Sequence, residues 1–292
     1  MLAPDVSSML GRMSTLRRDG APSIDFEVFS PTGATVGGVI LTHGYAEHRR
    51  RYGEVVRAFV ERGLVVASYD LRGHGRSEGV RGHIVQFGEY LDDLFALRSA
   101  LRKEPGFASI ERPVAVGHSL GGLITFHALL RDEQAWKGAM LSSPFFGLKL
   151  AVPAIKRWAG VAMSRLVPSF GLPSGLRGID VTHDVDKARE YDEDPELVKK
   201  ATARWFTEAT GAQERALADA HLVTKPLVIH HGGEDPIAAP DASRRVFERV
   251  ASKDKKYELL DGQRHEIWNE VERARWIALA ADEVLRIARL PG

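Results

Sequence analysis

The sequence predicts an α/β fold, a mostly parallel central sheet flanked by helices, and three observations carry that expectation. Short β-branched apolar runs recur at 36–42, 64–70, 113–117, 138–142 and 225–230, each ending in turn residues and each followed by a helical pattern. These runs are apolar nearly throughout instead of alternating, as strands are when helices cover both faces of their sheet. Finally, 292 residues, with 44% in the hydrophobic set and 27% charged, have ordinary globular composition and enough apolar mass for a sizeable core.

Taken in order, the runs 14–19 and 23–30 precede the parallel set and read as an antiparallel hairpin. In the second, Ile24, Phe26 and Val28 alternate with Asp25 and Glu27, the period of a strand with one wet face. The five apolar runs then follow with their helices, 257–260 supplies a late strand, and 271–288 a closing helix. Between Ser143 and about Gly211 the strand-helix alternation stops, and the segment is helical, Pro-interrupted and mixed in charge. It reads as a cap insertion at about 144–211 in a single domain spanning 1–292. Over 153–167, Ile155, Trp158, Ala159, Ala162 and Leu166 recur at three- and four-residue steps, with Lys156, Arg157 and Ser164 on the other side. Such a helix either packs on the core or roofs a site; in the second case Ile155, Trp158 and Leu166 are expected to line it, with an apolar surface suited to transient contact with a lipid surface.

Charge and composition exclude several classes. Forty Lys and Arg against 39 Asp and Glu leave a net charge of +1, which is not the basic footprint of a nucleic-acid partner. The absence of Cys removes disulfides, thiolate metal sites and cysteine nucleophiles, and no His pair has the spacing of a zinc site. Gly73 to Gly79 looks like a phosphate loop, but its third Gly falls one residue late for the dinucleotide fingerprint. No metal and no cofactor are therefore expected. The opening stretch has no apolar signal core, and no run reaches about 18 apolar residues, so a cytoplasmic location is expected. The oligomeric state is left open.

The most specific local signal is Gly117-His118-Ser119-Leu120-Gly121, set between an apolar run and the helical run 120–131. That is the context of a nucleophile elbow, in which Ser sits in a strained strand-to-helix turn and flanking Gly leaves room for close backbone. A serine hydroxyl needs a base, and the base needs an orienting acid. Asp235 follows the run 225–230 through a Gly-Gly turn, and His265 follows the strand at 257–260, so both fall at the carboxyl edge where chemistry gathers in open α/β sheets. Glu234 and Asp261 compete for the acid role; the turn chemistry of Asp-Pro favours Asp235 over Glu234, and Asp261 reads as a turn cap. His118, His230 and His231 read as packing or hydrogen-bonding residues. Acyl transfer also needs two N–H donors for the oxyanion: the backbone of Leu120, after the nucleophile, and that of Tyr45, in the Gly44 turn after 36–42.

These residues resemble the α/β-hydrolases of the monoacylglycerol lipase and lysophospholipase group. The resemblance runs over residues 23–285 through His43-Gly44-Tyr45-Ala46-Glu47-His48 with Arg51-Tyr52, then Asp70-Leu71-Arg72-Gly73-His74-Gly75-Arg76-Ser77-Glu78-Gly79. It continues through Gly117-His118-Ser119-Leu120-Gly121-Gly122, Gly233-Glu234-Asp235 and His265-Glu266-Ile267-Trp268-Asn269-Glu270. It implies nucleophile Ser119, acid Asp235, base His265 and oxyanion donors Tyr45 and Leu120, with Glu47, His48 and Arg51 at the polar end of a substrate pocket. Ala46 stands where a Gly is frequent, and Tyr45 places a large side chain beside the oxyanion hole, which bears on the size of the alcohol pocket.

The function expected is a serine hydrolase of carboxylic esters, with monoacylglycerol as the substrate the resemblance implies. Lysophospholipase and short-chain carboxylesterase activities share the triad. A proline-releasing aminopeptidase would need acidic cap residues such as Asp184, Asp186, Glu190, Asp192, Glu193 and Asp194 for its amine, although charge runs usually face water. A non-catalytic binding module of the same fold would generally lose a triad member, and none is missing here.

Overall fold

The structure, a computed structural model, describes residues 11–149 and 161–291. Its centre is an eight-stranded sheet in the order β1-β2-β4-β3-β5-β6-β9-β10. The hairpin β1 (Arg12–Arg18) and β2 (Ala21–Phe29) is antiparallel, and β2 joins the sheet antiparallel to β4 (Leu64–Tyr69). The remaining members are parallel: β3 (Gly37–Thr42), β4, β5 (Val114–His118), β6 (Gly138–Ser142), β9 (Leu227–Gly232) and β10 (Lys255–Leu260). Each expected strand is present, with its ends as expected or shifted by no more than two residues.

The parallel strands are apolar throughout because each feeds two cores. Ile40, Val65, Ala115, Leu141 and Ile229 face one side, where they meet residues of α2 (Gly88–Leu101), α3 (Leu120–Arg131) and α5 (Ala203–Asp219). Val39, Leu41, Val66, Val116, Met140 and Val228 face the other, against α1 (Gly53–Glu61) and the closing helix α7 (Arg273–Arg289). Alternation by strand pleat thus divides every strand between two buried faces. α6 (Pro240–Arg249) carries Ala242 and Val246 into the first core.

Strand order places the site. β3 lies between β4 and β5, so successive connections leave it in opposite directions, and this reversal makes a crevice beyond the carboxyl ends of β3 and β5. Register brings the strand ends level: Thr42 pairs with Gly117, His118 with Ser142, Ser142 with His230, and Gly232 with Leu260. The loops that begin at 43, 119, 143, 233 and 261 therefore leave from one edge.

Between β6 and β9 the chain departs from the sheet. Its described part includes a helical stretch at 161–166, a two-stranded antiparallel ribbon of β7 (Gly171–Pro173) and β8 (Lys200–Thr202), and helix α4 (Val185–Glu193). The helical content matches the expectation for this segment, whereas the ribbon has no counterpart in it, because three-residue strands carry too little pattern to mark them. Of the helix expected over 153–167, Ile155 and Trp158 lie outside the described residues. Leu166, expected to line a site, is instead 79% exposed. An amphipathic pattern states that two faces differ; it does not state which neighbour each face meets.

Gly121 is the tightest point between helix and sheet, since a Cβ there would stand 2.2 Å from the Thr42 carbonyl oxygen and 2.5 Å from that of His43. Gly121→Ala is therefore expected to destabilise the protein by about 1–3 kcal/mol or more, the usual cost of overpacking, seen as a lowered urea midpoint. An unchanged midpoint would show that the close approach is not constraining.

Candidate active site

β5 ends at His118, and the chain turns at Ser119 with φ 52° and ψ −117° before α3 begins. A positive φ is costly for a residue with a Cβ, so the surroundings must hold it. Ser119 N–H donates to the Ser142 carbonyl at 2.9 Å, and Phe145 N–H donates to the Ser119 carbonyl at 2.9 Å. Room for the turn comes from glycine: a Cβ on Gly117 would stand 2.3 Å from the Gly121 carbonyl oxygen. The result is a pinned turn with Ser119 at the crevice.

Two further loops bring partners to it. Ser119 Oγ is 2.9 Å from His265 Nε2, and His265 Nδ1 is 2.7 Å from Asp235 Oδ2. Asp235 Oδ1 accepts from the N–H groups of Ile237 and Ala238 at 2.8 and 2.9 Å, and His231 Nε2 lies 3.2 Å from Oδ2. Burial pushes the Asp235 carboxyl up, but His265 and the bonds from both histidines outweigh it and hold the group well below the carboxylate range. At His265 burial works against the imidazolium, yet the Asp235 carboxylate overcomes it, with Glu266 and Glu47 adding, and the pKa is raised above its ordinary 6.5. Glu234, the competing acid, has an exposed side chain 3.7 Å from His183, and Asp261 is exposed. A serine oxygen beside an imidazole held by a carboxylate can act as a nucleophile with its own base.

The loop after β3 closes the other side. Gly44 approaches the turn so closely that a Cβ would stand 3.0 Å from Ser119 Cβ, and Ala46 takes φ 72°, which explains why glycine is easier at that position. The Tyr45 side chain is turned against Trp205, ring centroids 3.8 Å apart, and its hydroxyl donates to the Lys200 carbonyl at 2.7 Å. The Leu120 N–H occupies the first position of α3, where a helix offers no internal acceptor.

A cavity of about 160 Å³ opens over Ser119 and His265. Its wall is mostly apolar, with Phe145, Leu148, Leu176, Val181, Trp205 and Ile237, and Glu47 and Glu266 also lie on it. Arg51 Nη2 donates to Glu266 at 2.6 Å, its guanidinium lies 4.9 Å from the Tyr191 ring centre, and Tyr52 Oη donates to Glu47 Oε1 at 2.6 Å. Burial and the neighbouring Glu266 push Glu47 up to about 7, against Arg51, Tyr52 and the Gly44 N–H. Of the substrate-binding residues expected from sequence, Glu47 lies on the cavity wall. His48 and Arg51 do not: the Arg51 guanidinium pairs with Glu47 at 3.5 Å and Glu266 at 2.6 Å, His48 Nε2 meets Asp194 at 2.8 Å, and both side chains line a separate, polar cavity with Arg50, Lys187 and Glu190. Leu166 lies away from the wall.

None of the acidic residues weighed for an amine site lies on this cavity wall, and most are paired elsewhere. Asp184 caps α4 and pairs with Arg273, Asp192 accepts from Gly178 N–H, and Asp186 and Glu190 pair with Arg189 and Lys187. Sequence reasoning missed most of the apolar wall. Phe145, Leu176, Val181, Trp205 and Ile237 come from scattered positions with no shared period, so only the fold brings them together.

Comparison with known proteins places the chain. The family model described as "Serine aminopeptidase, S33" matches residues 33–272. A monoacylglycerol lipase of Mycolicibacterium smegmatis is 31% identical over 260 residues, covering 87% of this chain and 90% of that protein. An uncharacterized abhydrolase domain-containing protein of Dictyostelium discoideum is 27% identical over 275 residues; these are 92% of this chain but only 28% of that protein. Among solved structures, the monoacylglycerol lipase of Paleococcus ferrophilus superposes with a TM-score of 0.83 at 26% identity, covering 90% of this chain and 99% of that one.

The electrostatics make a prediction that needs no substrate. Followed by NMR, the His265 ring should titrate above 6.5. In Asp235→Asn the carboxylate that raises it is gone while burial remains, so the titration should move to lower pH; Glu234→Gln should leave it in place. The reverse ranking would assign the His265 partner to Glu234.

Proposed function

Because the chain belongs to the serine aminopeptidase family of α/β-hydrolases and is a serine ester hydrolase, we propose that Ser119, His265 and Asp235 are its catalytic triad and that it cleaves monoacylglycerol to glycerol and fatty acid. The observation that carries this reading is the unbroken chain of contacts from Ser119 Oγ through both His265 nitrogens to Asp235 at the floor of a largely apolar cavity. His265 Nε2 takes the Ser119 proton as Oγ attacks the ester carbonyl carbon. The oxygen that gains negative charge is received by the N–H groups of Tyr45 and Leu120. Collapse breaks the bond to the alcohol, which leaves with the proton from His265. Water then attacks the acyl-Ser119 ester, giving its proton to the same nitrogen, and fatty acid departs as Ser119 is restored. Asp235 keeps the proton on Nδ1 and stabilises the imidazolium throughout.

The substrate follows from the cavity's two characters. An acyl chain is sheltered by Phe145, Leu148, Leu176, Val181, Trp205 and Ile237, each buried CH₂ contributing about 0.8 kcal/mol. The carboxyl groups of Glu47 and Glu266 suit the hydroxyls of a glycerol head group, with which a carboxyl exchanges hydrogen bonds whether or not it is protonated. The cap expected at about 144–211 supplies, from its described residues, Leu176, Val181 and Tyr191 to this wall. The exposed Leu166, Val167, Phe170 and Leu172 on that segment are the surface for transient contact with lipid. Among the described residues no helix is long and apolar enough to cross a membrane.

Ser119→Ala should abolish hydrolysis, by about a millionfold in the serine-protease case, without lowering the melting temperature. Activity of the parent should show an acid limb above pH 6.5, because the base works only when neutral and its pKa is raised. Rates on monoacylglycerols should exceed those on acetate esters, lysophosphatidylcholine and a proline arylamide. Near-native activity in Ser119→Ala would end the mechanism, and preference for one of the other substrates would reassign the head group or the acyl chain.

A further inference from the structure

The Gly44-Tyr45 peptide is held by a histidine to which the hydrolytic steps give no task. His43 is buried, and Leu71 N–H donates to its Nε2 at 2.9 Å. A ring nitrogen that accepts carries no proton, so in the neutral imidazole the hydrogen sits on Nδ1. Nδ1–H then donates to the Gly44 carbonyl oxygen, 2.7 Å away. Burial, the largest influence on this ring, pushes its pKa down to about 4, so the neutral form persists near pH 7.

The peptide bond is planar and trans, so its C=O and N–H point in opposite directions. Holding the Gly44 carbonyl toward His43 directs the Tyr45 N–H to the other side. The preceding peptide is pinned as well, Gly44 N–H donating to Glu47 Oε1 at 2.6 Å. Both restraints meet at a glycine, the residue least able to hold a peptide orientation by its own sterics. That glycine lies against the nucleophile, where a Cβ would be 3.0 Å from Ser119 Cβ. The acidic group nearest the ring, Asp70 at 4.0 Å, accepts from Arg49 N–H and Arg76 N–H at 2.8 and 2.9 Å. Asp70 thereby ties the segment that carries Leu71 to the one that follows the Gly44 loop. His74 lies beside the ring, centroids 5.6 Å apart, with its Nδ1 on the Arg72 carbonyl.

We propose that His43 is the positioning residue of the oxyanion hole: without touching substrate, it sets the Gly44-Tyr45 peptide in the orientation that aims the Tyr45 N–H at the oxygen of the tetrahedral intermediate. The proposal rests on the reading of Tyr45 and Leu120 as oxyanion donors and deepens it. A donor turned away is equivalent to a donor removed, and losing one costs about 10²–10³ in kcat.

His43→Leu and His43→Asn test it, because the two side chains have similar shape and only Asn offers an N–H to the Gly44 carbonyl. His43→Leu should lower kcat by about 10²–10³ with KM little changed. It should weaken a trifluoromethyl ketone analogue of the substrate, whose adduct with Ser119 Oγ carries the oxyanion, by a similar factor. An unreactive ether analogue should bind as before, and His43→Asn should recover most of each loss. Ketone and ether affinities falling together, or Asn no better than Leu, would show a merely structural role and overturn the proposal. Should the Leu variant not fold, Asn compared with His43→Asp, which places an acceptor where the donor is needed, gives the same contrast. Ser119→Ala measured alongside separates the two readings. Activity that survives Ser119→Ala defeats the acyl-serine mechanism, whereas Ser119-dependent activity with native kcat in His43→Leu defeats the positioning role alone.

Discussion

The molecule depends on one close approach: the first turn of α3 pressed against the carboxyl end of β3. With no room for even a Cβ between Gly121 and the Thr42 and His43 carbonyls, the strand-turn-helix around Ser119 and the loop after β3 are held close together. This contact falls where the strand order reverses, so a crevice already exists there and the turn at Ser119 projects into it. A side chain at either flanking glycine would push helix from sheet, and the three strand-end loops that meet at His265 would lose their common reference.

Burial treats the histidines around this point unequally. His43 is held at about 4 and His74 at about 3, and His118 lies well below its ordinary value, in each case chiefly because a charged ring is poorly solvated there. His265 is equally enclosed but faces Asp235, and its pKa rises. A carboxylate at 2.7 Å therefore decides between a ring that serves as a fixed hydrogen-bonding strut and one able to take and return a proton.

The loop after β3 is braced from both sides. Inside, Glu47 and His43 hold the two peptides at Gly44. Outside, Val198 N–H donates to the Ala46 carbonyl at 2.8 Å, Tyr45 Oη donates to Lys200, and His48 meets Asp194. The positive φ of Ala46 is thus maintained by neighbours on the segment between β6 and β9, which ties that segment mechanically to the backbone beside Ser119.

Parallel strands, the strand-to-helix turn at Ser119 and the placement of Asp235 and His265 in loops past strand ends were legible because each is a local pattern: an apolar run of strand length, a Gly-x-Ser-x-Gly between strand and helix, a polar loop past a strand's end. Such patterns arise from steric and hydrogen-bonding demands within a few residues, and those demands are written in consecutive positions. The apolar cavity wall, the placement of His48 and Arg51 off that wall, the exposure of Leu166 and the role of Leu71 in setting the His43 tautomer were decided only by tertiary structure. Each depends on which distant backbone or charge comes within 3 or 4 Å after the chain has closed, as when Leu71 meets His43 at 2.9 Å across two separate strand ends. Periodicity can mark a face as apolar or a residue as charged; the partner that satisfies it is chosen by the packing of the whole chain.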